Sequence, residues 1–174
     1  MSKAPSALVL GGARSGKSAY AEKLARDTGL SRIYIATAQP FDDEMREQIQ
    51  RHQADRADHG WRTIEEPIAL AAAIEGHSKP NTVLLVDCLT LWLTNVMLAG
   101  KDAVEMQTEL ISALKAAEGP VILVSNEVGM GVVPETSLGR AFRDAQGRLN
   151  QAVASLVPQV AFVAAGLPLI LKAP

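Results

Sequence analysis

Cysteine is almost absent from this chain of 174 residues: Cys88 is the only one. A disulfide framework and a cysteine-built zinc site are both excluded, and the composition fits a reducing compartment. An excess of one charge is missing too, since 17 basic residues against 19 acidic leave a formal net charge of -2. No basic face of the kind that grips nucleic acid is present, and no Lys/Arg cluster marks a membrane anchor. Long apolar runs are also lacking. The first, residues 7–10, stops at Gly11 and is too short for a signal-peptide core or a membrane span. The last, residues 160–171, is broken by Gly166 and Pro168 and reads as two core strands joined by a turn. No internal repeat, low-complexity segment or interdomain linker occurs. With 48% hydrophobic residues, one core is within reach and two are not. The expectation is a soluble, cytoplasmic protein with a single domain over residues 1–174.

What is there is a steady alternation. Strands are expected at residues 7–10, 32–36, 61–64, 82–87, 120–125, 160–164 and 167–171. Helices are expected at 17–26, 42–56, 68–75, 89–98, 102–117 and 137–156, with Pro67 opening the third. The last helix carries an apolar face of Leu138, Phe142, Ala145, Leu149, Val153 and Leu156. Alternation of this kind implies an α/β fold, a mostly parallel sheet with helices on both faces. The closing pair of strands is near enough for a hairpin, so one runs antiparallel at an edge. Functional loops belong at the carboxyl ends of the strands.

Gly11-Gly12-Ala13-Arg14-Ser15-Gly16-Lys17-Ser18 matches G-x-x-x-x-G-K-S, between an expected strand and an expected helix. The fold class is therefore P-loop NTPase-like (RecA-like). Glycines let backbone N–H groups turn toward phosphate oxygens, and the helix N-terminus adds its dipole. Lys17 should neutralise the β- and γ-phosphates, and Ser18 should ligate Mg²⁺. Asp87 ends an apolar run, as a Mg²⁺-holding strand-end acid does. A helix cap for the next element is the plainer reading of the same residue. Asn126 and Glu127 end another strand, and Gly129 and Gly131 give the following loop the freedom of a lid or of a simple connection.

His52 shares one side of its helix with Met45, Ile49 and Arg56. Spacing alone leaves two roles open, a histidine packed at the end of an apolar stripe and an imidazole that attacks a phosphate. Arg51 and Arg56 would offset charge in the second case. His59 and His77 read as surface residues.

Five stretches carry a resemblance to a known family. They are the phosphate loop itself, Tyr34-Ile35-Ala36-Thr37-Ala38, Asp42-Asp43-Glu44-Met45 with Ile49, His52 and Arg56, Asn126-Glu127-Val128-Gly129-Met130-Gly131-Val132-Val133-Pro134-Glu135, and Phe142-Arg143-Asp144 with Gly147-Arg148 and Asn150-Gln151. The chain resembles the bifunctional adenosylcobinamide kinase / adenosylcobinamide-phosphate guanylyltransferase family of cobalamin biosynthesis. The resemblance implies phosphorylation of adenosylcobinamide by ATP or GTP, then transfer of GMP from GTP to the product by way of a GMP-histidine at His52. It implies nucleotide contacts at Ala36, Thr37, Ala38, Gln53, Ala54, Asp55, Arg56, Glu65 and Asp87. It also implies a homotrimer. The helix bearing His52 is then expected to stand clear of the sheet and to move when nucleotide binds. The Asn-Lys-x-Asp motif with which small GTPases read guanine is missing, so guanine must be selected by other contacts. A plain small-metabolite kinase and a nucleotide-dependent switch are the rival readings of the same loop.

Overall fold

The computed structural model describes residues 5–40 and 43–174, leaving out the side chains of Glu44, Met45, Gln48, His52 and Asp55. In chain order the elements are β1 (Ala7–Gly11), α1 (Lys17–Asp27), β2 (Ser31–Ala36), α2 (Asp43–Asp58), β3 (Trp61–Glu65), α3 (Leu70–His77), β4 (Thr82–Asp87), α4 (Leu89–Leu98), α5 (Ala103–Ala116), β5 (Val121–Asn126), α6 (Ser137–Leu156), β6 (Gln159–Ala164) and β7 (Leu167–Lys172). The strands form one seven-stranded sheet in the order β3-β2-β4-β5-β1-β6-β7. Neighbours from β3 to β6 pair in parallel, and β7 runs antiparallel to β6.

Strand side chains alternate between faces, and each face has its own cluster. Leu8, Ile35, Leu84, Val86 and Leu123 point to the layer of α3, α4, α5 and α6, where they meet Ile74, Trp92, Leu110 and Val153. Val9, Tyr34, Val83, Leu85 and Val124 point the other way, toward Ala21 and Ala25 of α1. The central strands are covered on both sides, which is why they read as continuous apolar runs. Register sets two rungs at the carboxyl ends: Ala36 lies beside Glu65 and Asp87, and Gly11 beside Asn126 and Val163, with Asp87 paired to Val124, two residues before Asn126. These strand ends share the carboxyl edge of the sheet, and the loops above it form the site.

Three expectations need correction. First, β7 is no core strand: all six of its residues are exposed, and neither apolar cluster includes any of them. It lies past β6 at the sheet edge, where neither helix layer reaches. It is held instead by its pairing and by Lys172, whose Nζ donates to the carbonyls of Ala154, Ser155 and Val157 at 3.1, 3.3 and 2.7 Å. A cation there satisfies the open carbonyls at the end of α6. Second, α3 begins at Leu70 and not at residue 68. Glu66 Oε1 accepts from Ile68 N at 3.0 Å and Ala69 N at 2.7 Å, making a turn that the helix must wait for. Third, Leu138, expected on the buried face of α6, is 56% exposed, because the first turns of that helix run beyond the core. The helix expected from residue 42 starts at Asp43, and position 42 lies outside the described residues.

Candidate active site

The phosphate loop turns sharply between β1 and α1. Arg14 and Gly16 take left-handed backbone angles, φ 54° and 91°. At Gly11 only a hydrogen fits, because a Cβ would lie 2.5 Å from Ser15 Oγ and 2.6 Å from the carbonyl oxygen of Val163. No side chain caps the start of α1, and no acidic residue sits in its first turn. Its leading N–H groups are thus left for an anion, with the helix dipole behind them. Lys17 Nζ meanwhile donates to the carbonyl of Gly12 at 3.0 Å, folded back along the loop. Ser18 is half-buried in the first turn of α1. The hydroxyl of Ser15 is buried with no partner among the described residues, and Ala13, Arg14 and Gly16 are exposed.

On the same edge of the sheet as the loop, at the ends of β2, β3 and β4, a cavity of about 190 Å³ is lined by Ala36, Ala38, Arg56, Glu65 and Asp87, together with Tyr34. Five expected site residues, distant in sequence, thus share one space. Asp87 Oδ2 accepts from the hydroxyl of Tyr34 at 2.7 Å. The Arg56 guanidinium lies over the Tyr34 ring, 3.9 Å from its centroid, and the Trp61 ring stands nearly perpendicular to that of Tyr34, with the centroids 5.8 Å apart. Gln53 donates through Nε2 to Glu65 Oε1. The last turns of α2 are therefore docked on the edge of the sheet, and the helix does not stand clear of it along its whole length. Ala54 is exposed. The side chains of His52 and Asp55 lie outside the described residues, and position 52 is within α2.

Thr37 is expected to touch nucleotide, yet it is fully buried and every polar atom it has is engaged. Its hydroxyl donates to the carbonyl of Cys88 at 2.7 Å and accepts from Cys88 N at 2.8 Å. Its N–H donates to the carbonyl of Asp87 at 3.2 Å, and its own carbonyl accepts from Asn95 Nδ2 at 2.7 Å. Thr37 thus pins the ends of β2 and β4 together and forms the floor of the site. Cys88 caps α4 through Sγ, and burial pushes its thiol up, with the Asp87 charge adding to the effect.

A third group holds the loop after β5. Ser125, Gln146 and Asn150 are buried and joined: Ser125 Oγ donates to Asn150 Oδ1 at 2.6 Å, and Gln146 Nε2 donates to Ser125 Oγ at 2.9 Å. Asn150 Nδ2 reaches the carbonyl of Asn126 at 3.2 Å, and Glu127 N donates to the carbonyl of Gly11 at 3.2 Å. The loop itself is open, with Met130 79% and Val132 96% exposed. Sequence reasoning assigned no role to Tyr34, Asn95, Gln146 or Asn150. Tyr34 and Asn150 stood in the resemblance stretches without a role, and the physical signal for Gln146 and Asn150 was a polar pair on an otherwise apolar face of α6.

Residues 7–171 match the family described as cobinamide kinase / cobinamide phosphate guanyltransferase. The chain is similar to the bifunctional adenosylcobalamin biosynthesis protein CobP of Pseudomonas aeruginosa, with 51% identity over 168 residues that take in 95% of this chain and 96% of that protein. It is 40% identical over 180 residues to the bifunctional adenosylcobalamin biosynthesis protein CobU of Escherichia coli, with 95% of this chain and 98% of that protein covered. Among solved structures, the RadB recombinase matches with TM-score 0.52 and 12% identity over 92% of this chain and 74% of that one. The flagellar accessory protein FlaH from Methanocaldococcus jannaschii matches with TM-score 0.54 and 12% identity over 98% and 79%. At such identity these two speak for the fold, the RecA-like P-loop arrangement expected from the sequence.

Proposed function

We propose that this chain, which belongs to the cobinamide kinase / cobinamide phosphate guanyltransferase family, performs both reactions at the carboxyl edge of its sheet. The observation that carries this reading is that the phosphate loop and the cavity of Ala36, Arg56, Glu65 and Asp87 share the carboxyl edge of one sheet. In the first reaction the aminopropanol hydroxyl of adenosylcobinamide attacks the γ-phosphorus of ATP or GTP. A new P–O bond forms as the bond to the nucleoside diphosphate breaks. Lys17 leaves the carbonyl of Gly12 for the β- and γ-oxygens, and the N–H groups at the start of α1 hold the rest, so that positioning and charge supply the catalysis.

In the second reaction the neutral imidazole of His52 attacks the α-phosphorus of GTP. An N–P bond forms and pyrophosphate leaves. The phosphate of adenosylcobinamide phosphate then attacks that phosphorus, the N–P bond breaks, and adenosylcobinamide-GDP is released with the imidazole restored. Arg56, Gln53, Ala54, Asp55 and Glu65, with the strand end at Ala36, Thr37 and Ala38, form the nucleotide seat. Thr37 acts there as its floor.

Mg²⁺ suits the oxygens at hand, the Ser18 hydroxyl and the Asp87 carboxylate. Among the described residues no group of three or more His, Cys, Asp or Glu forms a cage. A Mg²⁺ that travels with a nucleotide needs only one or two protein oxygens beside phosphate and water. Bound there, it would neutralise phosphate charge. The enzyme works in the cytoplasm as a homotrimer. Support for assembly comes from exposed Leu167, Leu169, Ile170 and Leu171 on β7 and from an apolar groove of about 300 Å³ between α4 and α6, lined by Met97, Leu98, Leu138 and Phe142. A monomeric mass by light scattering would sink the assembly part.

The test of the chemistry is labelling with GTP carrying radioactive α-phosphorus. Label on the denatured protein, stable to base and lost in acid, is expected, and His52→Ala should abolish it while leaving the kinase reaction intact. Absence of label in protein shown to bind GTP would reduce the chain to a plain kinase.

A further inference from the structure

Tyr34 stands between two groups of opposite charge. Its hydroxyl donates to Asp87 Oδ2 at 2.7 Å, and its ring carries the Arg56 guanidinium at 3.9 Å. Arg56 and Asp87 line the same small cavity, yet the ion pairs among the described residues do not include them, and Arg56 Nε is buried with no hydrogen-bond partner among those residues. A carboxylate and a guanidinium in one half-buried space attract strongly and would close into a bidentate pair if nothing intervened. What intervenes is the tyrosine: a hydroxyl occupies one carboxylate oxygen, and a ring face offers the cation an alternative seat.

A residue needed only for packing here would not require the hydroxyl. Tyr34 is buried against Trp61 and Ala36, a setting that a phenylalanine ring would fill equally well. The hydroxyl has a specific duty instead, because it turns the carboxylate of Asp87 and leaves Oδ1 without a hydrogen bond from the described residues.

We infer that Tyr34 is a positioning residue that keeps Asp87 and Arg56 apart, orienting the first toward the metal side of the site and the second toward the nucleotide. The inference rests on the metal role proposed above for Asp87. Without the hydroxyl, Arg56 swings onto Asp87, and one contact removes both groups from service. With it, one side chain serves both the seating of Arg56 from α2 and the orientation of the strand-end carboxylate.

The test uses Mn²⁺ as the probe, its binding to the full chain saturated with a non-hydrolysable GTP analogue being followed by electron paramagnetic resonance. Tyr34→Phe is expected to weaken Mn²⁺ binding about tenfold, the scale of one hydrogen bond to a charged group. Tyr34→Phe/Arg56→Gln should recover most of that loss, since the competing cation is gone. A merely structural role for Tyr34 predicts no such recovery. Asp87→Asn is the reference. If it weakens Mn²⁺ binding and Tyr34→Phe does not, the inference about Tyr34 is overturned alone. If Asp87→Asn has no effect, the metal role of Asp87 falls and this inference with it. A loss in Tyr34→Phe that Arg56→Gln fails to restore overturns the claim that the hydroxyl holds Arg56 off.

Discussion

The N–H of Gly166 donates to the carbonyl of Ser15 at 2.7 Å, tying the turn between β6 and β7 to the phosphate loop. The loop is therefore braced from outside its own strand and helix. A Cβ on Gly16 would come within 3.0 Å of Gly166 Cα, so the two glycines are packed backbone to backbone. Tight surroundings of this kind hold N–H groups in place before any phosphate arrives.

Gly11→Ala tests that tightness. The added methyl would meet Ser15 Oγ, which can turn away, and the carbonyl oxygen of Val163, which cannot. Loss of about 2 kcal/mol of stability is expected from such overpacking, read from urea unfolding, together with weaker nucleotide binding. A variant as stable as the parent would mean that β6 gives way easily.

Lys17→Ala should reduce both reactions by about a hundredfold or more, the usual cost of removing a group aimed at developing charge. The folded state should hardly change, since the side chain is only half-buried and gives up one hydrogen bond. Retention of either activity in steady-state assays would show that the two reactions do not share the loop.

Thr37→Val keeps the shape and deletes the hydroxyl that both donates to and accepts from Cys88. The buried N–H and carbonyl left behind should cost about 2 kcal/mol in urea unfolding. A change below about 0.5 kcal/mol would mean that the strand ends are held by other contacts.

Stability should also depend on alkali in a set way. Burial raises the Cys88 thiol above its ordinary 9.0 and the Tyr34 hydroxyl above its ordinary 10.0, and in both the Asp87 charge comes next. Both groups keep their protons in the folded chain beyond the pH at which the unfolded chain loses them. Their contribution is whole below the ordinary values and is lost as pH rises past them. Urea midpoints are expected to hold level from neutrality to about pH 8.5 and then decline. Cys88→Ala should remove the first part of the decline, and an identical slope in that variant would refute the assignment.

Much of this architecture was legible because buried parallel strands announce themselves as apolar runs. Where such a run ends in a polar residue, as at Asp87 or Asn126, the carboxyl edge can be read directly. The phosphate loop was legible for the same reason, a motif lying between a strand and a helix. An apolar run does not say how many of its sides are covered, and β7 was read as core on that account. Pro67 signals a helix start and a turn equally, and Glu66 decides for the turn through two hydrogen bonds that no periodicity reveals. The hydrogen bond from Tyr34 to Asp87 spans 53 positions, so it emerges only once β2 and β4 are paired. Thr37 was assigned to the nucleotide by resemblance, while its commitment to Cys88 and Asn95 depends on three segments meeting.

The fixed rungs at the strand ends set a rule for how this chain can change length. Ala36, Glu65 and Asp87 are aligned rung by rung, as are Gly11 and Asn126. One residue added within β4 would carry Asp87 about 3.3 Å along the strand and turn it to the opposite layer. Insertions and deletions are therefore confined to the connections, and the exposed segment 99–102 between α4 and α5 has room for them. Homologues that differ in length should differ there while keeping the rungs in count.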